Sequence, residues 1–358
     1  MTSGAPRRHW LRHHKKRVII FGSLIVLLLA GATVAAVVIA NRDKPFFEDI
    51  TLASEPEPEP PVIYYSPLTG NEVKDEAATK QLVTAIMIEN SPDARPHSGL
   101  KDSGVVFEAI AEGGITRFLA LYQEQKPKLV GPVRSLRMYY VDWLAAFDPS
   151  VAHVGGSAAA LREIRNGTYK DIDQFFNPGT YWRATDRYAP HNVYTSFERL
   201  DALNKAKGFT TSSFTGFTRS DSKPAEIPTA TSVNVTISSA LYNSSYAYNA
   251  KTNTYNRSQG GAPHLDREAG QISPRVVVVM RVTEQRVFED GWREQINTIG
   301  KGSATVFQNG TAHEVTWQKK SKKGQITFTD AAGKDLPLAS GQTWITAIPN
   351  DSGAVSWQ

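Results

Sequence analysis

Behind Arg7, Arg8, Arg12, Lys15, Lys16 and Arg17 the chain turns apolar and stays uncharged from Val18 to Ala40. As a helix rising about 1.5 Å per residue, this run is about 34 Å long and crosses a hydrocarbon layer of about 30 Å. The pattern predicts one transmembrane helix over 18–40, with the basic tail 1–17 in the cytoplasm and everything after the span exported. A cleaved secretory signal is the competing reading, with Val38 and Ala40 as small residues at a cleavage site, although signal cores of about 7–15 residues are shorter than this run. Residues 41–63 then lose their apolar positions. Glu55-Pro56-Glu57-Pro58-Glu59-Pro60-Pro61 forms neither helix nor sheet, because proline fixes φ and removes backbone donors, and it reads as an extended stalk.

From Tyr64 the pattern becomes that of a folded body. Three runs rich in β-branched and aromatic residues, Leu82–Glu89, Gly104–Ala111 and Thr116–Gln123, are separated by Ser91-Pro92-Asp93 and Gly113-Gly114 and predict strands. Leu136, Tyr139, Tyr140, Trp143, Leu144 and Phe147 recur at helical spacing up to Asp148-Pro149, which predicts a helix over 136–147. A strand over 151–154 and a helix over 158–165, closed by Asn166-Gly167, follow. Thr195-Ser196-Phe197-Glu198 has the pattern of a capping box, with Thr195 as cap, opening a helix that ends near Gly208. Residues 64–209 therefore read as an α/β domain.

Residues 210–232, rich in Ser, Thr and Pro, read as a linker, and residues 233–358 as a β-rich domain. Val233, Val235 and Ile237 alternate, Arg275–Val282 is nearly continuous apolar sequence, and Ser303–Gln308 with Thr311–Trp317 flank Asn309-Gly310, a favoured two-residue hairpin turn. Gln325–Thr329 and Gln342–Ile348 supply two more strands. No repeat of fixed period is present.

The formal net charge is +5, but the basic tail alone carries more than that, so residues 41–358 are one unit negative. No basic excess remains for a nucleic-acid backbone, and the tail is suited to anionic lipid headgroups instead. With no cysteine in the chain, disulfides, thiolate metal sites, a cysteine nucleophile and an acylated cysteine anchor are all excluded.

Candidate chemistry clusters in the first half. Glu108 and Glu112, if on one strand, share a face about 13 Å apart, wider than either glycosidase geometry, and Glu112 has an obvious partner in Arg117 across a glycine turn. Arg134 and Arg137 at the start of a helix form, with Arg95 and Arg117, a set able to clamp an anion; pairing with Glu108, Glu112 or Asp142 explains them equally well. His153-Val154-Gly155-Gly156-Ser157 leads from a strand into a helix, where exposed amides suit an anion, and Ser157 reads either as helix cap or as nucleophile with His153 as base. Arg183 and Arg187 precede Ala189-Pro190-His191-Asn192, a polar loop before a helix. His97, His153, His191, or His264 with Asp266, would be the only metal candidates, and their spacing matches no ligand motif, so no metal and no cofactor is expected. Trp292, Trp317, Trp344 and Trp357 read as core residues before they read as a sugar-stacking platform.

The runs Pro67-Leu68-Thr69-Gly70, Arg95-Pro96-His97-Ser98-Gly99-Leu100, Glu112-Gly113-Gly114-Ile115-Thr116-Arg117, Gly131-Pro132-Val133-Arg134-Ser135, His153-Val154-Gly155-Gly156-Ser157 and Ala189-Pro190-His191-Asn192 resemble the YerB-like family, whose members are named as bacterial lipoproteins. Tyr255-Asn256-Arg257, Gly261-Ala262-Pro263-His264-Leu265-Asp266, Thr316-Trp317-Gln318-Lys319-Lys320 and Gly341-Gln342-Thr343-Trp344-Ile345 extend the resemblance through the second half. The resemblance implies an N-terminal α/β domain of three-layer β/β/α sandwich type and a β-rich C-terminal domain, exported and membrane-anchored. It implies no activity, cofactor or catalytic residue, and this chain departs from the lipoprotein pattern in lacking a cysteine to acylate.

Two readings of function result. The first is an anchored envelope protein that binds an anionic cell-wall polymer or another envelope protein through Arg95, Glu108, Glu112, Arg117, Arg134, Arg137, His153, Gly155, Gly156, Ser157, Arg187, His191 and Asn192. The second is a hydrolase or transferase acting on wall glycan or peptide, with Glu112, His153, Ser157 and His191 as acid, base or nucleophile, which requires those four side chains to meet in one cleft.

Overall fold

In the computed structural model, the described residues are 61–358 together with Gly31, Ala32, Ala36 and Ile39, these four being helical. The predicted transmembrane span and stalk otherwise lie outside the described residues, among which no helix is long and apolar enough to cross a membrane.

The principal elements are β1 (Thr84–Glu89), β2 (Val105–Ile110), β3 (Thr116–Tyr122), α1 (Met138–Leu144), β4 (Ser150–Ala152), α2 (Ala158–Ile164), β5 (Lys170–Asp171) and α3 (Phe197–Ala206). There follow β6 (Ser232–Thr236), β7 (Ser244–Asn249), β8 (Thr254–Gln259), β9 (Ala262–Pro263), β10 (Val276–Val282), β11 (Glu284–Phe288), β12 (Trp292–Ile296), β13 (Gly300–Gln308), β14 (Thr311–Lys319), β15 (Thr327–Thr329), β16 (Thr343–Pro349) and β17 (Ala354–Trp357). A ten-stranded sheet has the order β15-β14-β13-β10-β16-β2-β3-β1-β4-β5 and a five-stranded sheet the order β9-β8-β7-β6-β17.

The large sheet crosses the sequence boundary: β16 pairs in parallel with β2, from Thr343 opposite Val105 to Thr346 opposite Glu108. Residues 62–358 accordingly form one compact unit. Strands β1, β2 and β3 are buried at every position, which explains why they read as apolar runs rather than as alternations: both faces of the sheet are covered. On one face, Met87, Phe107 and Leu119 pack with Tyr140, Trp143 and Leu144 of α1 and Ala160 of α2. Trp143 stacks on Phe107 with ring centroids 5.3 Å apart. On the other face, Ile88, Val106 and Phe118 pack with Val233, Val235, Tyr246 and Tyr255 of the smaller sheet and Leu200 of α3. Helices α1 and α2, the large sheet, and the small sheet with α3 make three layers, and the sheet of the third is built from the C-terminal half.

Local sequence fixes the ends of these elements. Asn309 and Gly310 both adopt positive φ, at 56° and 80°, the requirement of the turn that joins β13 to β14. The helix cap is displaced by one residue from the predicted box. Thr195 is tied to Val130 by two backbone hydrogen bonds and donates its hydroxyl to Thr180 O, so it stays extended and Ser196 Oγ accepts from Arg199 N instead. Ser196→Ala is expected to cost about 1 kcal/mol in urea unfolding. An unchanged midpoint would return the cap to Thr195.

Candidate functional site

Strands β1, β2, β4, β5, β10 and β16 all run in one direction, so their carboxyl ends meet at one end of the sheet. In mixed and parallel sheets such ends are where ligands bind, because loops there are free of the ladder while the strands hold them rigid. Most of the sequence-derived candidates sit here. Glu89 ends β1, Glu112 follows β2, Arg117 opens β3, His153 follows β4, and the segment Val133–Arg137 crosses the top, where Arg134 N donates to Met87 O and Leu136 N to Gly155 O.

Glu112 does not continue the β2 strand. It begins a 3-10 turn in which Gly113 has φ 67°, and this turn moves its carboxylate off the face that Glu108 shares with the small sheet. The expectation that the two glutamates share a face is thereby overturned. Glu112 accepts from Arg137 Nε, from Arg137 Nη2 at 2.6 Å, and lies 3.7 Å from Arg117 and 3.4 Å from Arg293, a residue of β12. Burial opposes its ionisation, but the hydrogen bond and charge of Arg137, with the charge of Arg117, outweigh burial and hold its carboxyl below the ordinary range. Burial also brings the Arg117 guanidinium down to about 10, with Arg137 adding to the shift.

Arg134 takes a different carboxylate, lying 3.3 Å from Glu89, and it precedes α1, which starts only at Met138. Arg134 and Arg137 therefore share no helix face as expected; each extends from irregular backbone to its own glutamate. Glu89 Oε1 is also 3.0 Å from His191 Nδ1, which is 3.0 Å from Ser91 Oγ. Glu89 Oε2 is buried without a hydrogen-bond partner, and Arg134 Nε faces Glu89 Oε1 as an ion pair without the alignment of a hydrogen bond. Asn192 holds its own loop, accepting from Arg183 and donating to Ala184 O and Arg187 O, and Arg187 donates to Asp93 O and Pro96 O.

The glycine passage is a packing device. Gly155 has φ 60°, and a Cβ there would lie 3.1 Å from the Phe175 ring. A Cβ on Gly156 would lie 3.0 Å from Leu136 O. Ser157 Oγ accepts from Ala160 N and is the cap of α2. His153 is wholly buried, with Nδ1 2.7 Å from Gly155 O and Nε2 3.0 Å from Asp171. An acid stands behind this histidine, but Asp171 belongs to the next parallel strand, where no local sequence motif links the two. Of the four residues required by a hydrolase, Ser157 caps a helix, His153 is sealed in the interior, Glu112 is bound by arginines and His191 pairs with Glu89; they do not meet in one cleft.

Glu108 and Arg95 lie deeper. Glu108, wholly buried, accepts from Arg257 at 2.9 Å, Trp344 Nε1 at 3.0 Å and Thr116 Oγ1 at 3.2 Å. Arg257, also wholly buried, donates to His264 Nδ1; His264 Nε2 and His97 Nδ1 are 3.0 Å apart, and His97 Nε2 is 2.8 Å from Glu89 O. An arginine can only donate and a carbonyl can only accept, so this order fixes both imidazoles as neutral tautomers. Arg95 donates to Asn90 and to Leu241 O. His264 does not pair with Asp266, whose carboxylate accepts from Lys101, Glu268 and Ala269 amides. Among the described residues no group of three or more His, Asp or Glu is placed to hold a metal ion. Trp317 and Trp344 are core, whereas Trp292 and Trp357 are exposed.

Sequence comparison matches residues 68–210 to the N-terminal domain, and residues 233–345 to the C-terminal domain, described as a protein of unknown function (DUF3048). The chain belongs to the DUF3048 family. It is 34% identical over 297 residues to the Bacillus subtilis (strain 168) protein named "Putative lipoprotein YerB", covering 81% of this chain and 88% of that protein. The crystal structure of the Bacillus subtilis YerB protein superposes with a TM-score of 0.73 at 30% identity, covering 82% of this chain and 99% of that one. The two family regions are the halves joined by the β2–β16 pairing, and the Glu108–Arg257 and His97–His264 contacts all run from one region to the other.

Proposed function

We propose that this member of the DUF3048 family is a membrane-anchored, extracytoplasmic envelope protein that binds an anionic cell-wall polymer, with another envelope protein of acidic surface as the alternative partner. The observation that carries the reading is the placing of four guanidiniums, Arg117, Arg134, Arg137 and Arg293, against three carboxylates, Glu89, Glu112 and Asp290, at the carboxyl ends of the parallel strands. Guanidiniums in excess of their internal partners, of which Arg134 and Arg293 are partly open to solvent while Arg117 and Arg137 are buried, suit bidentate capture of carboxylate or phosphate. The lipoprotein name of the Bacillus relative supports the membrane-attached, exported setting. In this cysteine-free chain the apolar run Val18–Ala40 takes the place of a lipid as a single-pass anchor. The hydrolase reading finds no support in the positions of Glu112, His153, Ser157 and His191.

Arg134→Ala with Arg137→Ala is expected to reduce retention of purified wall fragments by the full chain at least about tenfold, at the rate of about 1–3 kcal/mol for each charge-assisted bond removed. Retention equal to wild type would put the binding face elsewhere.

A further inference from the structure

The two sheets stack strand over strand. Trp357, Val233, Tyr246 and Arg257 are successive partners across β17, β6, β7 and β8, and Phe307, Val277, Trp344 and Val106 are successive partners across β13, β10, β16 and β2. The first row lies on the second: Trp357 meets Phe307 with ring centroids 5.4 Å apart, and the Arg257 guanidinium sits 4.5 Å from the Trp344 ring centroid. Gly353 O accepts from Arg281 at 3.0 Å, so β17 runs along β13 with Val355 at the level of Thr305. The small sheet therefore ends early. Strands β14 and β15 continue the large sheet past β13, and no strand of the described residues lies beyond β17 to cover them. A groove of about 400 Å³ runs there, with Arg281, Ser303, Thr305 and Glu314 in its floor and Val355 and Trp357 along its side.

The edge of β17 beside this groove is unprotected. Ser232 and Gln358 exchange both backbone hydrogen bonds, and such pairs alternate along an antiparallel ladder, so the N–H and C=O of Val355 and Trp357 point away from β6. The other sheet edges are blunted: β5 and β9 have two residues each, β9 contains Pro263, and Thr329 at the β15 edge is bridged by Asp335. Ala354-Val355-Ser356-Trp357 carries neither charge nor proline, and Trp357 is 37% exposed. A second copy cannot pair through the same edge, because its own β13 would have to lie where β14 lies. A single extended peptide brings no second layer and fits. The two charges in the groove are not equivalent. Arg281 is bound to Gly353 O, whereas Glu314, opposite Thr305, is exposed and has no ion-pair partner among the described residues.

We propose that β17 is a docking edge for an extended peptide of a partner protein, added antiparallel to the small sheet, with an apolar residue opposite Trp357 and a basic residue opposite Val355, above Glu314. Residues paired across a ladder share a face, so these two side chains enter the groove while the residue between them faces solvent. Main-chain bonds to the N–H and C=O of Val355 and Trp357 supply affinity for any extended chain. Glu314 then selects the basic side chain, and Trp357 gives the apolar one a surface to pack on. The site uses none of the arginines invoked for the wall polymer.

The test is calorimetric titration of the full chain with the end-blocked peptide Thr-Val-Thr-Lys-Thr-Val, an analogue with Glu in place of Lys, and a version N-methylated at the two amides that face β17. Hydrogen exchange of residues 353–358 accompanies it. The Lys peptide is expected to bind, to slow exchange at Val355 and Trp357, and to lose at least about tenfold in affinity on N-methylation. Glu314→Lys is expected to invert the preference, so that the Glu analogue binds about tenfold more tightly than the Lys peptide. Val355→Pro removes an outward N–H and leaves the ladder to β6 intact, and it should weaken the Lys peptide by about the same factor. Should that variant fail to fold, the N-methylated peptide on wild type carries the same test. Several results would each overturn the proposal: no binding, equal affinity for the Lys and Glu peptides, or indifference to N-methylation. So would exchange already slow at Val355 and Trp357 before peptide is added, or a dimer in sedimentation that Val355→Pro dissociates. Arg134→Ala with Arg137→Ala is expected to bind the peptide as wild type does, so this proposal and the binding of wall polymer fail separately.

Discussion

Replacing Arg257 with methionine is expected to lower the unfolding free energy by about 3–5 kcal/mol, enough to unfold a protein of ordinary stability at modest denaturant. Arg257 and Glu108 are both inaccessible to solvent, and their contact at 2.9 Å joins β8 to β2 across the interface between the small and large sheets. The guanidinium also stacks 4.5 Å from the Trp344 ring centroid and donates to Tyr246 OH and Gln259. Removing the cation leaves the Glu108 carboxylate buried against Trp344, Thr116 and Thr346 with donors but no compensating charge. The cost therefore belongs to the orphaned partner, and Glu108→Gln combined with Arg257→Met is expected to recover most of it. Urea unfolding of the two single variants and the double variant measures this directly. A double variant no more stable than Arg257→Met would mean that the packing of Arg257 on Trp344, not the charge pair, is what stabilises the interface.

The pair also marks the limit of what is legible in the sequence. The apolar runs located β1, β2 and β3, helical spacing located α1, and Asn309-Gly310 located the β13–β14 turn, because each is decided by neighbours within a few residues. The ion pair between Glu108 and Arg257 is not of that kind. Nothing in the composition around Arg257 signals burial, and the partner lies in the other family region. Likewise, Glu112, the partner of Arg137, was one of several open choices until the turn after β2 was placed. Glu89 was missed although it closes an apolar run just before Asn90-Ser91-Pro92; a lone carboxylate at a strand's carboxyl end was the available signal. Arg293, Glu289 and Asp290 were missed for a different reason. Residues 284–296 alternate in neither charge nor hydropathy, Asp290-Gly291 was the one turn signal available there, and the role of the β11–β12 hairpin depends on α2 lying beside it, where Glu289 accepts from Ala159 N.

The same buried network should make the protein labile to mild acid. Burial lowers His97 to about 3, and neighbouring Arg95, Arg257 and Arg187 act in the same direction, whereas its bond to Glu89 O opposes it. Burial, Arg257, His97 and Arg95 lower His264 well below its ordinary value. Both groups are neutral in the folded chain, and in the unfolded chain each titrates near 6.5. Above about pH 6.5 neither state is protonated and the contribution is fully present. As pH falls below that value the unfolded chain takes up protons that the folded chain refuses, so stability declines continuously until the folded value near 3. Protonating His264 would also aim a ring N–H at Arg257, and protonating His97 would aim one at His264, so the chain of donors from Arg257 to Glu89 O cannot survive either event. Several kcal/mol, as an order of magnitude, should be lost between pH 7 and pH 4. Carboxylates held low by arginines, Glu112 among them, lose their contribution over a lower range and are common to every variant. The comparison is therefore between wild type and His97→Gln/His264→Gln, each unfolded in urea at several pH values. The variant is expected to be less stable at pH 7, where it forfeits the matched hydrogen bonds, and to show a much flatter decline from pH 6.5 to pH 4. Parallel slopes for the two proteins over that range would show that the imidazoles are not the groups that bind the denaturing protons.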